Sequence, residues 1–354
     1  MPPTSAPSIS AREGSFDRET WARALIGVAY IATVVVTAGV WRARVNPPSL
    51  PIVPLPSFDM FVPMIASIVV SVWHPRRGLV VHAGVLAYAI ASDELRAQPF
   101  FLSLSILLAG TSGIDGLRTL ARVHLVALWS WAAIHKALSP AFFHDTSRWL
   151  LDAVFPAAPP RIRETIGVVM VLSEVSLAVL TCVPRTRRIA AVLAVIVHAA
   201  IVFVVSRPGI GRNVALWGWN AGLAIAAIAL VAPWRESWRE TWTESQRGIR
   251  VGAIAMLLAP AGYRFGLVGP TLGHVLYTGS VATTVWCDTT GDCRSDREQH
   301  ETLPALGVLV PPEPRMLVRY FRARCTHGER MHLHDPLRDD ARRGPAITEI
   351  VCPR

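Results

Sequence analysis

The chain has 354 residues, 52% of them hydrophobic and only 17% charged. Soluble domains carry roughly 25% charged residues, so a water-exposed globule is excluded and burial in a bilayer is indicated. The formal charge of +10 forms no single basic patch. The arginines come in short clusters between apolar runs, as orientation signals and contacts with membrane lipids do, which sets nucleic acid aside as a partner.

A spanning helix needs about 20 mostly apolar residues. In chain order, such stretches are expected at 22–41, 57–73, 78–93, 99–112, 117–138, 164–183, 187–206, 212–232 and 249–268. The fold class read from this is an all-α polytopic membrane protein of about nine transmembrane helices, followed by a small extracytoplasmic β-containing domain. Residues 1–20 form a polar N-terminal segment, 21–268 the helical domain and 269–354 the tail. No cleavable signal peptide is evident, and Leu25 to Val40 is long enough to serve as an uncleaved first span. Pro54, Pro56 and Pro63 crowd the second stretch, where proline cannot donate to a helix ladder.

Arginine asymmetry orients the spans. Arg76, Arg77, Arg118, Arg122, Arg185, Arg187, Arg188, Arg235, Arg239, Arg247 and Arg250 fall on the side of the N-terminus, and the opposite loops are sparser in arginine. An inner-membrane protein with a cytoplasmic N-terminus and an extracytoplasmic tail is expected. Cys287, Cys293, Cys325 and Cys352 all lie in that tail, and four cysteines in a small extracytoplasmic domain suggest two disulfides. Cys287 and Cys293 flank a turn-like Asp288–Asp292 segment and are the first expected pair. A metal site with His327, His332 and His334 fits no standard zinc spacing.

In PWRESWRETWTESQRG, Trp234, Trp238 and Trp242 recur every four residues, predicting an amphipathic helix in the inner headgroup layer. In the tail, Val275–Trp286 and Met316–Ala323 are rich in β-branched and aromatic residues and read as strands, with a return strand near Ile347–Val351.

Among residues that could carry chemistry, Lys136 stands first. It is the one lysine among 35 basic residues, and it closes an apolar helix in WSWAAIHKALSP. Buried lysine can serve as a general base, and an ionisable group at membrane depth is a functional candidate. The competing reading is a lysine that snorkels to the interface. His124 and His135 are three turns apart on one face, with Trp131 between them. Glu174 and His198 each lie about ten residues into a span, roughly 15 Å deep, and a Glu174–His198 hydrogen bond would satisfy both; helix-to-helix packing and a proton relay remain alternative roles. Asn213 and Asn220 share a face beside Trp217 and Trp219, while Asp115 and Arg118 read as topological. His144, Asp145, Arg148 and Asp152 lie in the long outer loop, where Trp149–Leu151 suggests an interfacial helix near Lys136. No phosphate-binding glycine loop, nucleophile elbow, HExxH or dinucleotide fingerprint occurs.

The stretch 118–220, with WSWAAIHKALSPAFFHDTSRWL and then SEVSLAVLTCVPRTRRIAAVLAVIVHAAIVFV, resembles the HTTM (horizontally transferred transmembrane) domain of vitamin K-dependent gamma-carboxylases. The resemblance implies a site facing the extracytoplasmic side. In it, Lys136 would deprotonate a lipophilic hydroquinone, with Glu174 and His198 as supporting groups; His135, next to the lysine, is the fourth candidate site residue. The tail is much smaller than a carboxylase's soluble portion, so protein glutamate carboxylation is not implied. The spans also resemble DoxX-like and MauE-like membrane proteins, associated with quinone or thiol–disulfide chemistry. Two functions follow as expectations: acid/base or redox chemistry on a lipophilic quinone or lipid at the outer leaflet, or a non-enzymatic membrane module whose tail binds an extracytoplasmic partner. A transporter is less consistent, since no inverted repeat or pair of broken helices is evident.

Overall fold

Apolar runs punctuated by proline set the helix boundaries. Pro75, Pro99, Pro160 and Pro314 each occupy a first helical turn, where the missing N–H has no intrahelical partner to lose. The computed structural model describes residues 9–152, 154–207, 214–275, 278–339 and 345–353. Its helical part runs through α1 (Ile9–Val36), α2 (Ala38–Trp41), α3 (Phe61–Trp73), α4 (Pro75–Ser92), α5 (Pro99–Gly110) and α6 (Asp115–Ala137). It continues with α7 (Ser147–Asp152), α8 (Pro160–Cys182), α9 (Arg187–Val205), α10 (Ala215–Ala226), α11 (Trp238–Glu244), α12 (Arg247–Leu258) and α13 (Pro270–Gly273). Single π turns follow α6, at Phe142–Thr146, and extend α10, at Ala227–Val231.

Helices occupy each stretch expected to span, but their lengths differ. Among the described residues, Arg18–Val36, Arg161–Cys182 and Pro184–Val205 are long and apolar enough to cross a membrane. Phe61–Trp73, Pro99–Gly110 and Ala215–Val231 are shorter apolar helices. At 1.5 Å per residue, the 13 residues of α3 reach roughly 20 Å, against a hydrocarbon core of about 30 Å. The expected count of about nine spans is therefore not confirmed, and the proline-rich approach to α3 shortens that helix.

Close approach of backbones holds the bundle. A Cβ at Gly218 of α10 would overlap the Thr33 side chain and the Ala29 carbonyl of α1, and one at Gly78 would overlap the backbone of Ser71 across the α3–α4 turn. Helix ends gather at two poles. At one, Arg23 donates to the carbonyls of Val72 and Thr111, both at 3.0 Å, and Arg118 to Glu19 at 2.7 Å. At the other, buried Asp93 pairs with Arg44, and Arg96 donates to the Val40 carbonyl at 2.9 Å.

Trp234 does not continue the α11 helix, as the fourfold tryptophan spacing predicted. Ser237 caps α11 in a capping box with Glu240, so the helix starts after Trp234. Trp234 is instead buried, with the Arg187 guanidinium 3.5 Å and the Arg122 guanidinium 4.7 Å from its ring.

The tail contains β1 (Thr283–Cys287), β2 (Cys293–Ser295), α14 (Arg297–Leu306), α15 (Pro314–Arg324), β3 (Arg330–His334) and β4 (Ile347–Val351). The strands form one antiparallel sheet in the order β2-β1-β3-β4, with Trp286 opposite Met331. Cys287 is bonded to Cys293 and Cys325 to Cys352. Two local expectations are corrected. Met316–Ala323 is helix rather than strand: Pro314 opens it, and Met316, Leu317, Tyr320 and Phe321 bury one helical face against Trp286. Among the described residues of Val275–Trp286, strand begins at Thr283, because Gly279 turns the chain at φ +72°.

The tail sits on the second pole. Glu94 pairs with Arg315 and Arg319 of α15, Gln98 donates to the Leu309 carbonyl at 2.9 Å, and Thr271 to that of Ala97 at 3.3 Å. Bundle and tail share one continuous apolar core.

Candidate functional site

Arg122, Trp129 and Lys136 lie at seven-residue intervals on α6 and so form one stripe along the helix. Each makes a polar contact with a different neighbour. Arg122 donates to the Leu230 carbonyl at 3.0 Å, Trp129 to His198, and Lys136 is ion-paired with Glu174 of α8.

The Lys136–Glu174 pair is deeply placed, with the two residues only 7% and 8% exposed. Side chains tilt toward the N-terminus of their own helix. α6 runs toward the tail pole and α8 away from it, so Lys136 leans back into the bundle and Glu174 leans to meet it. That direction is the opposite of snorkelling. The Phe142 ring centroid lies 5.9 Å from the ammonium, and Phe142, Ala133 and Val171 form a small apolar cluster apart from the main core, joined by Phe143 and Met170. The π turn at Phe142–Thr146 brings this aromatic cover back over the end of α6. Glu174 Oε2 is buried without a hydrogen-bond partner.

His198 is not bonded to Glu174, which corrects the expected pairing. Its Nε2 accepts from Trp129 Nε1 at 3.2 Å, and its Nδ1 is 2.8 Å from Asn220 Oδ1. Asn220 Nδ2 donates to the Leu216 carbonyl at 2.8 Å, so Oδ1 is left as acceptor. The network therefore assigns a neutral imidazole with its proton on Nδ1. Glu174 and His198 lie on adjacent helices, but each takes its partner from α6, at Lys136 and at Trp129, seven residues apart.

His135 faces elsewhere. Its ring centroid is 5.4 Å from that of Trp131 and 5.6 Å from that of Tyr263, on the α12 side of α6. Both ring nitrogens are buried, and the backbone carbonyls of Pro260 and Gly273 face them. His124 shares that side, 2.8 Å from Ser103 Oγ and 5.7 Å, ring to ring, from His274 of the tail segment. Of the four expected site residues, Lys136 and Glu174 are thus brought together, His198 is linked to their helix through Trp129, and His135 stands apart.

Two of the residues between α6 and α8 prove to be ties. Arg148 pairs with Glu164 and Asp152 with Arg163, fastening α7 to the start of α8. Asn213 lies outside the described residues. A buried chain from Tyr30 through Ser105 and His82 to Ser67, with steps of 2.9, 3.0 and 2.9 Å, was not anticipated. Its signal was present as isolated polar residues inside apolar helices, and so was the seven-residue interval of Arg122, Trp129 and Lys136.

In the tail, Glu298 is buried and accepts from Thr284 Oγ1 at 2.6 Å. Burial raises its carboxyl above the ordinary range, against the lowering effect of that hydrogen bond.

No curated protein and no solved structure matches the chain. Of the two resemblances drawn from the sequence, the family comparison supports the MauE-like one. Residues 114–216, from the residue before α6 to the second residue of α10, match the model of the membrane-protein family described as Methylamine utilisation protein MauE.

Proposed function

We propose that this chain is a non-enzymatic, multi-pass module of the cell membrane. In this reading a MauE-like core is held together by buried polar contacts, and the disulfide-bonded tail meets an extracytoplasmic partner. The observation that carries it is the closed Lys136–Glu174 pair. The charge of the one lysine is matched across a helix interface, His198 is engaged by Trp129 and Asn220, and His135 lies on another side of α6. Such groups act as packing contacts between helices, where an unpaired charge would cost several kcal/mol on some scales. The N-terminus is cytoplasmic, because the arginine-rich pole of Arg23, Arg118 and Arg187 would then face inward and the cysteine-bonded tail outward.

A second reading has its own support. Glu174 Oε2 has no partner, and an ammonium has three donors of which the pair uses one. The hydroxyl of a lipophilic quinol could complete both, donating to Oε2 and accepting from the ammonium, with Lys136 acting as base once Glu174 has taken its proton. Complementation with Lys136→Met/Glu174→Leu separates the two readings. A folded double variant that restores the phenotype of a deletion strain supports the module. A folded double variant that fails to restore it, with quinone co-purifying only with the wild type, supports chemistry at the pair.

A further inference from the structure

At the first pole, two buried hydrogen-bond donors lack an acceptor among the described residues, Arg187 Nη2 and the Thr181 hydroxyl. α9 begins at Arg187, with no acidic residue in its first turn and no side-chain cap. Thr186 stands at the capping position, yet its hydroxyl bonds the carbonyls of Leu180 and Val183, at 2.7 and 3.1 Å. A 3-10 turn, Pro184–Thr186, leads into α9, and no side chain caps the positive end of either.

Beside it, Arg187 is 1% exposed. Its Nε donates to the Thr181 carbonyl at 2.9 Å, and its Nη1 to those of Trp234 and Glu236 at 3.1 and 2.7 Å. Among the described residues its Nη2 has no hydrogen-bond partner, and neither has the Thr181 hydroxyl, which is fully buried. Trp238 Nε1, also buried, donates to the weakly accepting sulfur of Cys182 and so belongs to the same pole without being free. Glu236 supplies the local negative charge. Its carboxylate is 3.9 Å from Arg122 and also acts on Arg187. Arg185 and Arg188 extend the cluster to the surface, where both are exposed.

We propose that the α8–α9 turn, with Arg187, Thr181 and the start of α9, binds a phosphate-bearing group, either the phosphodiester of an anionic phospholipid or free phosphate. A phosphate offers several acceptor oxygens to N–H and O–H donors, and a helix N-terminus adds its partial positive charge. The lipid source draws further support from the surroundings, and it rests on the membrane reading above. α8 and α9 are apolar enough to span and are enclosed by protein over only 33% and 28% of their apolar windows. Trp238 and Trp242, one turn apart on α11, lie at the same pole, where indoles suit the headgroup layer.

The test uses the full chain in mild detergent, with native mass spectrometry reading the first lipid bound. Phosphatidylglycerol is expected to bind with roughly tenfold preference over phosphatidylcholine. Arg185→Gln/Arg188→Gln and Arg187→Lys should lose that preference, the second because lysine keeps the charge but not the planar fork. Arg76→Gln/Arg77→Gln, exposed at the same pole on the α3–α4 turn, should retain it. Displacement of the lipid by inorganic phosphate at millimolar concentration would identify free phosphate as the natural source; failure to displace would identify the headgroup. Equal binding of the two lipids, or equal losses in the two double variants, would overturn the site. A chain that shows no preference yet still needs detergent for extraction would leave the membrane reading standing.

Discussion

Lys136 and Glu174 are 38 residues apart in the chain and ion-paired between α6 and α8 in the fold. Both are almost fully enclosed, so the charges are desolvated together. The net worth of such a pair against an apolar isostere is small, whereas breaking it by removing one partner strands a buried charge.

The first prediction follows from that asymmetry. Lys136→Ala or Glu174→Ala should each destabilise the chain by roughly 3–5 kcal/mol, and Lys136→Met/Glu174→Leu should recover most of the loss. Thermal unfolding in detergent measures all three. Additive losses in the double variant would show that the two residues do not act as a pair.

His198 bridges α6, α9 and α10. His198→Ala leaves the indole N–H of Trp129 and Asn220 Oδ1 without partners. A cost of roughly 1–3 kcal/mol for each stranded group is expected, again read from unfolding midpoints. His198→Ala should be more damaging than Asn220→Ala, since the latter leaves the Trp129 contact in place.

The two disulfides should differ in weight. Cys325–Cys352 closes a separation of 27 residues and Cys287–Cys293 one of 6. Chain-entropy estimates give about 3.5 kcal/mol for the longer loop and about 2 for the shorter. Cys352→Ala should therefore lower tail stability more than Cys293→Ala, measured by hydrogen exchange over β1, β3 and α15 in the full chain.

Glu298 makes tail stability depend on pH with a definite sign. Its folded-state carboxyl lies above the ordinary value of 4.5 because it is buried. The folded tail then holds a proton that the unfolded tail has released, so stability falls as pH rises from about 4.5 through the folded value. Glu298→Gln keeps an acceptor for Thr284 and should flatten that decline. Denaturation midpoints of both proteins across this range check it; a steeper fall in Glu298→Gln would contradict the assignment.

Glu94 ties the bundle to the tail through Arg315 and Arg319. Glu94→Gln removes the charge and keeps the shape. Because Arg315 is 57% exposed on its side chain, solvent screening limits the effect. A roughly tenfold faster exchange of α15 amides, corresponding to about 1.4 kcal/mol, is the expected outcome, with the bundle helices unchanged.

The helical stretches, the return strand at Ile347–Val351 and the two-pole distribution of arginine were legible from the chain alone. Apolar run length, proline position and charge clustering are local properties, and a bilayer or a buried core reads them locally. The singularity of Lys136 was legible for the same reason. Its partner was not. Glu174 and His198 sit at similar depths on neighbouring helices, and depth alone favours their pairing, but only the packing of α6 beside α8 and α9 decides that Lys136 takes the carboxylate and Trp129 takes the imidazole. Met316–Ala323 makes the same point in the tail. Its β-branched and aromatic composition suits a strand, yet burial against Trp286 selects the helical face of Met316, Leu317, Tyr320 and Phe321. Which groups meet across helices, and which stay unpartnered as Arg187 Nη2 does, depends on contacts between residues far apart in the chain. Those contacts exist only once the helices have packed.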